Sequence, residues 1–109
     1  MDEVLKRLEK LEYYQRLMAE MIPDEGYPFH RLIIQGGLSE EEVQAFLLLC
    51  DRLSKKFEKQ KAEGFVYHTP LFKEFKNELH PKLEVKEVVE SCLAQELYPA
   101  LMYHFKKSL

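Results

Sequence analysis

The first 22 residues contain neither glycine nor proline, and their apolar side chains include Met1, Val4, Leu8, Leu11, Met18 and Ile22. Steps of three and four separate these positions, so on an α-helix they form one stripe at the a and d positions of a heptad. Only Gln15, at an a position, interrupts it. Pro23-Asp24-Glu25-Gly26 then reads as a turn. A helix with such a stripe has to bury it. Either the stripe lies on the chain's own core, or copies of the helix pack against one another.

The charges beside the stripe favour the second arrangement. In the same frame Arg7 stands at g and Glu12 at e, and Arg7-Leu8-Glu9-Lys10-Leu11-Glu12 is similar to a short pattern of parallel three-stranded coiled coils. Arg at g can lay its methylenes over the apolar layers while its planar guanidinium meets the e carboxylate of a neighbouring helix. Such an exposed pair is worth only about 0.2–1 kcal/mol, so it selects partner geometry more than it adds affinity. Gln15 would weaken the seam and fix its register. The expected interface is Val4, Arg7, Leu8, Leu11, Glu12, Gln15, Met18 and Ile22, with a trimer favoured over a dimer.

Beyond the turn, residues 28–109 read as a helical bundle. Pro28 suits a first helical turn, Phe29, Leu32 and Ile33 share a side, and Gly36-Gly37 ends the segment. Ser39 with Glu42 forms a capping box, opening a long helix that closes at Gly64 with Phe65 folding back. Its stretch Phe46 to Cys50 is apolar all round and is expected at the centre. Phe65-Val66-Tyr67 alone leans towards β structure. Thr69-Pro70 reads as N-cap and first position of a helix carrying Leu71, Phe72, Phe75 and Leu79. Val85, Val88, Val89, Cys92 and Leu93 mark another, and Tyr98, Leu101, Met102 and Phe105 the last. The expectation is one all-α domain over 1–109, with five or six helices, the first of them projecting as an oligomerisation helix over 1–22.

Chemistry is thinly marked. The four histidines, His30, His68, His80 and His104, occupy separate segments without an i, i+4 pair, and no CxxC accompanies them. Neither catalytic residues nor a metal or cofactor is assigned. An enzyme binding a small ligand or metal would have to assemble its site on folding, around His30, Cys50 and His104. Leu32 to Val43 resembles the centre of a helix-turn-helix, but Glu40, Glu41 and Glu42 would face the phosphates, which argues against nucleic acid. Arg52, Lys55, Lys56, Lys59 and Lys61 are diluted by Asp51, Glu58 and Glu63 to a net +2 and read as a solvated face. The formal net charge of -3 offers no general attraction to polyanions. The longest apolar run, Ala45 to Cys50, is far short of the roughly 20 residues that span a bilayer. The expected setting is the cytoplasm, with Cys50 and Cys92 as reduced core residues.

Several strings in order, Leu11-Glu12-Tyr13-Tyr14, Tyr27-Pro28-Phe29, Gly37-Leu38-Ser39, Cys50-Asp51, Gln60 to Val66, and Leu97-Tyr98 with Leu101-Met102 and Phe105, resemble the YhaI-like family of small Bacillus proteins. The resemblance spans nearly the whole chain. It implies an all-helical, oligomeric bacterial protein of the cytoplasm, from a family whose function is unknown, and it supplies no catalytic residues.

Overall fold

The computed structural model describes residues 1–23, 26–64 and 68–109, with side chains throughout except at 68 and 69. Among them six helices follow one another, with no strand: α1 (Asp2–Met21), α2 (Pro28–Gly36), α3 (Glu40–Ala62), α4 (His68–Glu78), α5 (Val85–Ala94) and α6 (Pro99–Lys106). The all-α expectation holds.

Local chemistry sets most of these boundaries. Pro28 opens α2, and the helix stops where Gly37 turns left-handed at φ 68. There the Leu38 and Gly37 N–H groups donate back to the Ile33 and Ile34 carbonyls at 3.1 and 3.3 Å. At the start of α3 the capping box is complete. Glu42 N–H donates to Ser39 Oγ at 3.1 Å, and Ser39 N–H donates to Glu42 Oε1 at 2.8 Å. The helix ends next to Gly64, at φ 80. The expected fold-back of Phe65 and the β-leaning 65–67 lie outside the described residues.

Helix α4 departs from expectation, beginning at His68 so that Pro70 is its third residue. The N–H groups of a first turn have no partner within the helix, so a proline there sacrifices no bond. Helix α5 is capped by Glu84, whose carboxylate accepts from Lys86 N–H at 3.2 Å and Glu87 N–H at 2.9 Å. It ends in a paired turn in which Leu97 N–H reaches Cys92 O at 2.8 Å and Glu96 N–H reaches Leu93 O at 3.2 Å. That motif normally places glycine at the left-handed position. Here Glu96 takes it at φ 59, and Tyr98 follows at φ 47.

Helices α2 and α6 both pack on α5, while α3 packs on α4 and α6. A run of aromatic rings ties them together. Phe29 stacks on Phe46 at 5.3 Å, Phe46 meets Phe75 at 6.2 Å, Phe75 meets Phe105 at 4.7 Å, and Phe105 meets Phe72 at 5.6 Å. Cys50 and Cys92 are fully buried in this core. The apolar stretch of α3 is buried at Phe46, Leu49 and Cys50, but Leu48 is 71% exposed, so the stretch is not enclosed on all sides. At about 100° per residue, consecutive apolar residues point in every direction, and here one direction faces solvent.

Helix α1 contributes nothing to the core, since none of its residues is buried. The chain is correspondingly extended, 60 × 29 × 19 Å with a radius of gyration of 17.2 Å. A compact chain of this length would have a radius near 13 Å. Its accessible surface is 8139 Å². A folded monomer of this mass exposes about 6,300 Å², leaving a surplus of about 1,800 Å².

Candidate oligomerisation surface

The apolar stripe of α1 forms as the heptad spacing predicts, on a helix that is continuous from Asp2 to Met21. Val4, Leu8 and Leu11 are 55%, 49% and 62% exposed, and Met18 is equally open. Gln15 interrupts the same stripe and is also exposed. Ile22 lies one residue past the helix with extended backbone, its N–H donating to Met18 O at 3.2 Å, and closes the stripe at the base of α1. The chain's own core covers none of these side chains.

Arg7 and Glu12 are exposed on the flanks of the stripe. Five residues apart, they are turned about 140° from one another around the helix axis, beyond the three- and four-residue spacings at which side chains of one helix meet. Each is therefore available to a second helix laid along the stripe.

The heptad reading missed part of this surface. Leu5, Tyr14, Leu17 and Met21 are exposed as well, at e, g, c and g positions. The signal lay in the helical period: Tyr14, Leu17, Met18 and Met21 are separated by three, one and three residues, a wider face than the a/d seam. Tyr13 sits beside Tyr14 with ring centroids 6.1 Å apart, and the Arg16 guanidinium lies 5.8 Å above the Tyr13 ring.

The residues proposed for chemistry are scattered. His30 is exposed at the start of α2, where its Nδ1 pairs with Gln95 Nε2 at 2.8 Å and its ring meets Tyr27 edge-on. The same Gln95 caps α2, its Oε1 accepting from Phe29 N–H at 2.7 Å. His104 is buried on α6 with its ring 4.5 Å from that of Phe57. Cys50 is in the core, and burial pushes its thiol well above the usual range. Burial likewise raises the Cys92 thiol to about 12, so neither is primed as a nucleophile. Among the described residues no three His, Cys, Asp or Glu groups gather as metal ligands would. The site imagined around His30, Cys50 and His104 does not assemble as a metal centre.

His80 instead joins a charged cluster at the start of α3. Its Nε2 lies 2.5 Å from Glu42 Oε2, and its Nδ1 faces the Lys82 N–H at 3.0 Å. Lys82 Nζ donates to Gly37 O at 3.3 Å and to Glu42 Oε1 at 3.4 Å. The Ser39 N–H, together with Lys82 and His80, holds the Glu42 carboxyl down at about 2. Glu40, Glu41 and Glu42 form the acidic first turn of α3, the end that a helix-turn-helix would present to DNA. Along α3, Arg52 pairs with Glu78, Lys55 with Asp51, and Lys56 with Glu74. Two of these acids, Glu74 and Glu78, come from α4.

No helix among the described residues is long and apolar enough to cross a membrane. Over residues 1–109 the chain matches the family model described as "Protein of unknown function (DUF1878)", and it belongs to that family.

Proposed function

We propose that this member of a family of unknown function is a non-enzymatic scaffold or interaction module, whose copies assemble through a parallel coiled coil of α1. One observation carries the reading: a 20-residue helix with heptad spacing has no buried residue. The surplus of about 1,800 Å² per chain corresponds to roughly two contributions of the usual 800 Å² per partner. Such an area suits a dimer interface and a closed ring alike. The Arg7 and Glu12 flanks favour three chains over two and supply a pair between each adjacent couple. The resemblance to YhaI-like proteins agrees with a bacterial protein of the cytoplasm, where the buried Cys50 and Cys92 stay reduced.

Light scattering with mass determination at tens of micromolar tests the assembly. The expected mass is three times the 13.0 kDa of the chain, and a strict monomer would sink the proposal. Leu8→Asp combined with Leu11→Asp is expected to give monomers whose body keeps its helical circular dichroism. Unfolding of the body by that pair would instead assign the stripe to the intramolecular core.

A further inference from the structure

We infer that the end of the bundle where α3 and α6 finish, with the adjoining flank of α4, is a binding surface for single-stranded nucleic acid. This is independent of the self-association reading. The net charge of -3 conceals an uneven distribution. Along α3, Arg52, Lys55 and Lys56 are each held by an acid, whereas Lys59 and Lys61 in its last turn have no ion pair among the described residues. The same holds for Lys73 and Lys76 on α4 and for Lys106 and Lys107 at the end of α6. Glu74 and Glu78 are taken up by Lys56 and Arg52, so only the Glu58 and Glu63 side chains oppose the six lysines there.

Packing gathers these cations from three helices. Phe57 of α3 lies 4.5 Å from the His104 ring of α6, and Phe72 of α4 lies 5.6 Å from Phe105 of α6. Lys61 Nζ sits 5.4 Å from the Phe57 ring centre, Lys76 Nζ 5.1 Å from that of Phe72, and Lys107 Nζ 5.2 Å from that of Tyr103. A ring face positions each ammonium where a carboxylate would have neutralised it, and leaves its charge to an outside anion. The glutamates that oppose a helix-turn-helix reading, Glu40 to Glu42, open α3 about 30 Å from Lys61. Charges are screened within about 8 Å at physiological ionic strength, so those acids do not offset the patch. An exposed ring selects the occupant. Tyr103 is 60% exposed beside Lys107. A base can stack on such a ring while the ammonium meets the neighbouring phosphate. A duplex keeps its bases stacked inside, and an acidic peptide supplies charge alone.

The test is fluorescence anisotropy of a labelled oligouridylate of about 20 nucleotides, titrated with the full chain at about 50 and about 200 mM salt. Binding is expected at the lower salt and should weaken about tenfold or more at the higher, as counterion release from about three phosphate contacts requires. Lys61→Glu with Lys107→Glu is expected to weaken it by about tenfold or more at the lower salt. Lys6→Glu with Lys10→Glu makes the same charge change on α1 and should leave binding unchanged. Tyr103→Ala should cost about fivefold or more through the lost stacking. No binding at the lower salt, or equal losses from the two charge reversals, would overturn the surface. Polyglutamate that competes as well as unlabelled oligouridylate, with Tyr103→Ala silent, would overturn the nucleic-acid assignment in favour of an acidic protein.

Discussion

Glu96 shows how much one residue's backbone can hold in reserve. It occupies the left-handed position of the turn that ends α5, at φ 59, where a side chain costs roughly 1–2 kcal/mol relative to glycine. The turn keeps its two hydrogen bonds because Leu97 is partly buried against the core and holds the following backbone in place. Glu96→Gly should therefore stabilise the fold, by about 0.5–1 kcal/mol after the added flexibility of the unfolded chain is subtracted. Thermal unfolding monitored by circular dichroism would show a midpoint raised by a few degrees. No sequence signal marked this position, since the motif is read from a glycine that is absent. Leu48 was misread for a related reason: an unbroken apolar run has no period, so nothing in it says which residue faces out.

At the scale of the element, α3 and α1 invite different experiments. The Glu42 carboxyl, held at about 2 against an ordinary 4.5, secures the capping box at the start of α3 and the link to His80 and Lys82. A group whose value is depressed on folding contributes stability above its unfolded value and loses it as the pH falls towards its folded one. The native chain should therefore melt above Glu42→Gln near neutrality, with the two midpoints converging between pH about 4.5 and about 2. Parallel melts across that range check it. In α1, Gln15→Leu replaces the one polar residue of the a/d stripe. The assembly should tighten by about tenfold or more, because burying one leucine per chain in the seam is worth more than the 1.4 kcal/mol of a factor of ten. Dilution followed by mass determination would show it, and unchanged association would remove Gln15 from the seam.

For the whole molecule, the extended shape has a thermodynamic consequence. When the folded state is an assembly and the unfolded state is not, the unfolding midpoint rises with protein concentration. A series of melts from about 1 to about 100 μM should show that rise in the native chain, whereas the Leu8→Asp, Leu11→Asp pair should melt at one temperature throughout. A radius of gyration near 17.2 Å for that double variant in solution would show α1 still projecting from the body without its partners.

The caps, the glycine stop of α2 and the apolar stripes depend on neighbours within about four residues, and so the helices could be placed from the chain alone. The capping box at Ser39 and Glu42 and the heptad of α1 are of this kind. What needed the third dimension were relations between distant residues: Gln95 capping α2, His80 and Lys82 closing on Glu42, and His104 packing its ring against Phe57. Heptad spacing says that a face must be buried, and it is silent on whose surface buries it. Only the folded body, complete without α1, removes the chain's own core from the answer. The reason is physical, because local bonding is a property of the segment and burial is a property of everything packed around it.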